Sequence, residues 1–146
     1  PKRCSIYIYL YEKETMKIFT NGCFDILHRG HIEYLEASKA LGTHLTVGLN
    51  SDDSVRQLKG LSRPINNQED RRYVLLALTC VDEVIIFNEG TPYNLIKSIQ
   101  PDILTKGGDY VKEDIVGYDI VNQTIVIPFT RGYSTTETVR KINDAT

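Results

Sequence analysis

Two of the three histidines in this 146-residue chain, His28 and His31, stand three residues apart with Gly30 between them, in the stretch TNGCFDILHRGH. The stretch follows the apolar run KIFTN and leads into IEYLEASKALG, where Ile32, Leu35, Ala37 and Leu41 recur at helical spacing and predict a buried stripe. The histidines therefore fall at a helix entry, where residues three apart project on one side and both imidazoles can converge on one ligand. A helix N-terminus offers unpaired N–H groups and the positive end of the helix dipole, so the chemistry that suits two imidazoles there is the binding of phosphate oxygens. Gly30 leaves room for that anion. Zinc fits less well, because it needs three or four ligands and neither His44 nor the cysteines stand at a suitable spacing.

Three further stretches could hold anions. In GYSTTETVRKI, Ser134 is followed three residues later by Glu137, the pattern of a capping box that starts a last helix. From spacing alone simple capping is the favoured reading, although the N–H groups there and the hydroxyls of Thr135 and Thr136 could also hold phosphate oxygens. LKGLSRPIN places Lys59 and Arg63 on a glycine-containing loop, and Arg71 sits in the first turn of the next helix. Three cations could meet over one polyanion there; ordinary surface pairing, which contributes little stability, is the alternative for each. KGGDY ends a strand in Gly107 and Gly108, which suits close approach of a ligand to the backbone, and Asp109 could accept from a hydroxyl or merely cap the turn. Asp25 and Asp52, taken alone, read as helix caps.

These residues need elements to position them. From Met16 onwards short β-rich runs alternate with longer helical ones, the sign of βαβ units and a parallel sheet. Strands are predicted at 17–21, 44–50, 83–87, 102–106 and 124–129, and helices at about 30–41, 52–58, 67–79, 92–99 and 135–143. The stretch 107–122, rich in Gly, Asp and Tyr, predicts loop or short helix. The fold class is thus α/β, a Rossmann-like open parallel sheet of about five strands with helices on both faces. Ligands of such sheets bind beyond the carboxyl ends of the strands, and every candidate site here follows a strand. SIYIYLY at 5–11 precedes this pattern, so residues 1–15 read as a leader or an extra edge strand, and 16–146 as one domain.

Composition sets outer bounds. With 41% hydrophobic and 25% charged residues the chain matches an average globular protein. A net charge of −2 gives no general attraction to nucleic acid or to an anionic membrane. Cys4, Cys23 and Cys80, odd in number and without CxxC spacing, argue against a disulfide framework and suit a reducing cytoplasm. No run approaches the ~18 apolar residues that span a bilayer.

TNGCFDILHRGH, VGLNSDDSVRQLKGLSRPIN, QEDRRYVLLAL, VDEVIIF, PDILTKGGDY and GYSTT together resemble the HxGH signature and flanking stretches of the cytidylyltransferase-like nucleotidyltransferases, over nearly all of residues 16–142. Within that family they are most similar to the adenylyltransferase domain of ADP-heptose synthases. The resemblance implies transfer from ATP to D-glycero-β-D-manno-heptose 1-phosphate for lipopolysaccharide or surface-glycan synthesis. It implies catalytic roles for His28, His31, Lys59 and Arg71. It places Thr20, Asn21, Gly22, Cys23, Phe24, Gly30, Lys106, Gly107, Asp109, Tyr133, Ser134, Thr135 and Thr136 along the nucleotide, and Asp25 and Arg63 at the sugar phosphate. It further implies magnesium carried by ATP with no protein-bound metal, a homodimer, and a sugar kinase on a separate chain supplying the acceptor. Glycerol-3-phosphate cytidylyltransferases share the HxGH pair and a similar STT segment. They differ at NGCFD, KGGDY and RGYSTT, none of which reads the base directly. A non-catalytic nucleotide-binding module is the third reading, weakened by the intact histidine pair.

No Ser–His–Asp set and no carboxylate cluster accompanies these pieces, which suits direct in-line attack of a sugar 1-phosphate oxygen on the α-phosphorus of ATP. Positioning and charge stabilisation then carry the catalysis.

Overall fold

The computed structural model describes residues 15–146; the SIYIYLY segment lies outside them. The described chain forms β1 (Lys17–Gly22), α1 (Arg29–Ala40), β2 (His44–Asn50), α2 (Asp52–Lys59), α3 (Gln68–Leu76), β3 (Glu83–Phe87), α4 (Tyr93–Ile99), β4 (Ile103–Gly107), two 3₁₀ turns (Lys112–Asp114 and Tyr118–Ile120), β5 (Gln123–Ile127) and α5 (Thr135–Ala145). All strand pairings are parallel, in the order β3-β2-β1-β4-β5. The expected open α/β sheet is present. β5 stops at Ile127, one residue before Pro128, which lacks the N–H a ladder needs.

The chain winds outward from β1 through β2 to β3, then returns to lay β4 on the other side of β1. Strand order therefore reverses between β1 and β4, where the carboxyl ends open a crevice. Two apolar cores flank the sheet. One gathers Ile18, Leu35, Leu45, Val47, Leu49 and Leu75, and the other Phe19, Ile96, Leu104 and Ile115.

The buried stripe of α1 departs from the predicted one. Leu35 is fully buried, but Ala37 faces solvent, Leu41 is 37% exposed, and the second fully buried position is Ser38. Its hydroxyl is 3.0 Å from Thr105 Oγ1 on β4, and Tyr34 Oη lies 2.6 Å from Thr20 Oγ1 on β1 and donates to Thr105 at 3.3 Å. This polar seam satisfies four hydroxyls that would each be costly to bury alone, and it clamps α1 across β1 and β4. Thr20 is thus a fully buried part of that clamp and does not line the crevice, contrary to its expected place along the nucleotide.

Candidate active site

His28 is the N-cap of α1, with extended backbone, and the two histidines build the cap between them. His28 Nδ1 accepts from the His31 N–H at 3.3 Å, and His31 Nδ1 accepts from the His28 N–H at 3.3 Å. This is a capping box made of imidazoles instead of a hydroxyl and a carboxylate. The rings stack with centroids 3.8 Å apart at 21°. A nitrogen that accepts a backbone N–H carries no proton, so each neutral ring holds its proton on Nε2. Burial pushes the His28 pKa below the ordinary histidine value. Burial, then the charges of His28 and Lys59, push His31 down to about 4. At neutral pH the pair therefore presents two uncharged Nε2–H donors.

Those rings face an open cleft of ≈ 870 Å³ at the carboxyl ends of the strands. Asn21–Asp25 at and beyond the end of β1, Asn50 at the end of β2, Lys59 at the end of α2, Gly90–Pro92 after β3, Lys106 and Gly107 on β4, and 129–136 after β5 complete its wall. Gly30 sits where an added Cβ would stand 3.0 Å from His28 Cε1 and 3.1 Å from Tyr133 Cβ, so any larger residue would push on the histidine ring. The ring of Tyr133 stacks 6.1 Å from His28. Gly108 has φ +110° and a Cβ there would lie 2.6 Å from the Phe129 ring; glycine lets that aromatic close down on the end of β4.

Ser134 caps α5, its Oγ accepting from the Glu137 N–H at 3.0 Å. The predicted capping box is only half formed, because the Glu137 carboxylate instead pairs with Arg140 at 2.6 and 2.9 Å. The first turn of α5 thus faces the cleft with Thr135 and Thr136, a second helix N-terminus suited to phosphate. Thr135 Oγ1 also donates to the Ile26 carbonyl at 3.3 Å, tying α5 to the loop before α1.

Of the three cations expected around the polyanion, only Lys59 reaches the cleft. Arg71 is 2% exposed, and its guanidinium is spent internally. It donates to the carbonyls of Asn66 (2.9 Å), Cys23 (2.7 Å) and Asn50 (2.8 Å), and to the Asp52 carboxylate (2.8 Å). It is a brace tying the ends of β1 and β2 to α2 and α3. The Cys23 carbonyl it holds precedes Phe24, whose φ of +43° is unusual for a side chain of that size. Asp25 likewise faces inward, 5% exposed, its two oxygens accepting the N–H groups of Ile65 (2.8 Å) and Asn66 (2.9 Å). It anchors the 60–67 loop and caps no helix. Arg63 lies 3.7 Å from Asp25 and balances that buried carboxylate away from the cleft wall. Asp109 is exposed and does not line the cleft; its neighbour Tyr110 does.

Residues not anticipated from the sequence complete the wall. Arg131 stands on the rim without an ion pair among the described residues, and Tyr34, Asn50, Pro92, Tyr110 and Phe129 line it. Except for Tyr34 on α1, each lies at a strand end or within about five residues after one, the signal that could have found them. Lys106, buried enough for desolvation to pull its pKa down, lies 5.5 Å over the Tyr110 ring. Burial raises the Cys23 pKa, so its thiol stays protonated and is no nucleophile at neutral pH.

Residues 19–141 match the sequence profile of the family described as "Cytidylyltransferase-like". The chain belongs to that nucleotidyltransferase family. It is 58% identical over 125 residues to the "Bifunctional protein HldE" of Wolinella succinogenes, covering 86% of this chain and 26% of that protein. To the protein of the same name from Aliarcobacter butzleri it is 55% identical over 127 residues, covering 87% of this chain and 27% of that one. The chain spans about a quarter of the length of these curated relatives. Among solved structures it is similar to the lipopolysaccharide core biosynthesis protein from Thermoplasma volcanium, with a TM-score of 0.69 and 30% identity over 80% of this chain and 98% of that one. Among the described residues no helix is long and apolar enough to cross a membrane.

Proposed function

We propose that the chain transfers AMP from ATP to the phosphate of a sugar 1-phosphate, D-glycero-β-D-manno-heptose 1-phosphate, releasing pyrophosphate. The observation that carries this reading is the pair of neutral Nε2–H donors opening on the same cleft as Lys59 and the α5 N-terminus. The motifs shared with ADP-heptose synthases and the solved neighbour from lipopolysaccharide core synthesis support the heptose acceptor.

An acceptor phosphate oxygen attacks the α-phosphorus, forming a P–O bond as the bond to the β-phosphate bridging oxygen breaks in line, its electron pair leaving with pyrophosphate. A phosphate monoester is largely dianionic at neutral pH and needs no strong base. The histidines donate to the α-phosphoryl and bridging oxygens as charge accumulates there, an interaction strongest in the transition state. Their low pKa serves this role, because a neutral ring fixed by its cap neither loses nor shifts its donor during the step. Lys59 offsets charge on the acceptor and α-phosphates, and the first turn of α5 with Ser134, Thr135, Thr136 and Arg131 holds the β- and γ-phosphates.

Magnesium accompanies ATP. Asp25 is the carboxylate on the cleft wall among the described residues, and both its oxygens already accept backbone N–H groups. Among the described residues there is thus no ready carboxylate cage, and an ion arriving with ATP would be held mainly by phosphate oxygens and water. A sugar kinase must act before this step to make the acceptor.

The test is a matrix of ATP, CTP and GTP against heptose 1-phosphates and glycerol 3-phosphate, read by pyrophosphate release. Turnover with ATP and a heptose 1-phosphate is expected. Turnover only with CTP and glycerol 3-phosphate would contradict the reading, and nucleotide binding without turnover in any pairing would make the chain a binding module.

A further inference from the structure

The cleft has a side annexe of ≈ 150 Å³, lined by Asn21, Pro92, Lys106, Tyr110, Asp114 and two aliphatic residues of the following turn. Asn21, Pro92, Lys106 and Tyr110 also line the main cleft, so the annexe adjoins it. Complete ligand pockets run to roughly 300–1,000 Å³, so the annexe takes one ring and not a nucleotide.

Its polar groups are unspent. Among the described residues the Asn21 amide, the Lys106 ammonium and the Asp114 carboxylate make no side-chain hydrogen bond or ion pair within the chain. Lys106 is held only over the Tyr110 ring. A half-buried ammonium, an amide and a carboxylate facing one small cavity, with Pro92 and the aliphatic residues behind, is a wall of donors and acceptors on an apolar floor. Asp114 is acceptor-only and repels phosphate, so the far end of the annexe suits hydroxyls, while Lys106 at the shared border suits an anion. A flat base, wanting two apolar faces, is better served outside the annexe, in the main cleft beside the Phe129 ring that packs on Gly107 and Gly108.

We infer that the annexe is the acceptor-sugar subsite: Asp114 and Asn21 bind ring hydroxyls, and Lys106 holds the sugar 1-phosphate at its mouth. This rests on the transfer reading above and adds the residues that choose the sugar. Asp114 lies in an exposed 3₁₀ turn, so its replacement leaves the fold intact.

Asp114→Ala and Asn21→Ala are compared with wild type by pyrophosphate release and by calorimetric binding of sugar 1-phosphate in the presence of a non-reactive ATP analogue. Loss of a charged hydrogen bond to a hydroxyl predicts about tenfold weaker sugar 1-phosphate binding and a similar rise in its KM for Asp114→Ala. The KM for ATP stays unchanged, and the preference between epimers that differ at one hydroxyl shrinks by a similar factor. An unchanged sugar KM in both variants, or a rise confined to ATP, overturns the annexe assignment while wild-type turnover leaves the transfer reading standing. Wild type that neither binds nor turns over any sugar 1-phosphate overturns both.

Discussion

Replacing Arg71 separates two roles that the sequence left open, contact with a substrate phosphate and support of the site from behind. Its guanidinium satisfies three backbone carbonyls and the Asp52 carboxylate, at 2.7 to 2.9 Å, from a position only 2% exposed. Arg71→Met keeps most of the side-chain volume but strands those acceptors. Removing one partner of a buried charged network costs about 3–5 kcal/mol, and a domain of this size loses roughly 2–4 °C in Tm per kcal/mol, so Tm should fall on the order of 10 °C. Arg71→Lys should recover little, since an ammonium cannot reach four acceptors spread over a planar fork. The Cys23 carbonyl is one of them, and freeing it relaxes the Phe24 turn, so turnover should fall as well. Thermal unfolding followed by circular dichroism, together with pyrophosphate release below the transition, measures both effects. An Arg71→Met protein melting within two or three degrees of wild type, with a raised KM for ATP or sugar phosphate alone, would refute the bracing role and return Arg71 to the phosphates.

The histidine cap predicts a split between two substitutions. His28→Asn, whose side chain is among the best N-caps, should keep Tm near wild type while lowering kcat by about 10²–10³, whereas His28→Ala should lose the same activity and about 1 kcal/mol of stability. Gly30→Ala should reduce turnover by displacing the His28 ring, with little change in Tm. The pH dependence follows from the direction of the histidine shifts. Their folded pKa values lie below the unfolded value of about 6.5, so the unfolded chain binds more protons as the medium acidifies. Stability is therefore undiminished above pH ~6.5 and falls as pH drops toward about 4, the value for His31. Chemical denaturation across that range should show stability rising with pH, more weakly in a His31→Gln variant; a slope of opposite sign would contradict the buried neutral pair.

Much of the fold could be read from the chain because its strands are short apolar runs separated by amphipathic helices, and five such runs specify a parallel sheet with its site at the strand ends. The histidine pair could be placed for the same reason: it follows β1 and opens α1. What could not be read is which polar side chains turn inward. Arg71 and Arg72 are adjacent in QEDRRYVLL, yet only Arg71 meets the carbonyls that β1 and β2 bring together, a juxtaposition made by topology and not by spacing. Asp25 has the type and position of a helix cap, but its acceptors are met by N–H groups forty residues on. Ser38 takes the buried place expected for Ala37 because Thr105 on β4 offers its hydroxyl a partner. Arg131 and Tyr110 escaped notice although they lie inside RGYSTT and KGGDY, because the hydroxyls, the glycines and Asp109 of those stretches drew the attention.

The most direct test of the site is nitrogen NMR of the protein carrying ¹⁵N-labelled histidine, at neutral pH with and without a non-reactive ATP analogue. His28 and His31 should both be neutral and protonated at Nε2, and their Nε2 signals should move on addition of the analogue while those of His44, at the opposite end of β2, stay still. Imidazolium or Nδ1–H signals from either ring, or no response to the nucleotide, would contradict the assignment of this pair as phosphate donors.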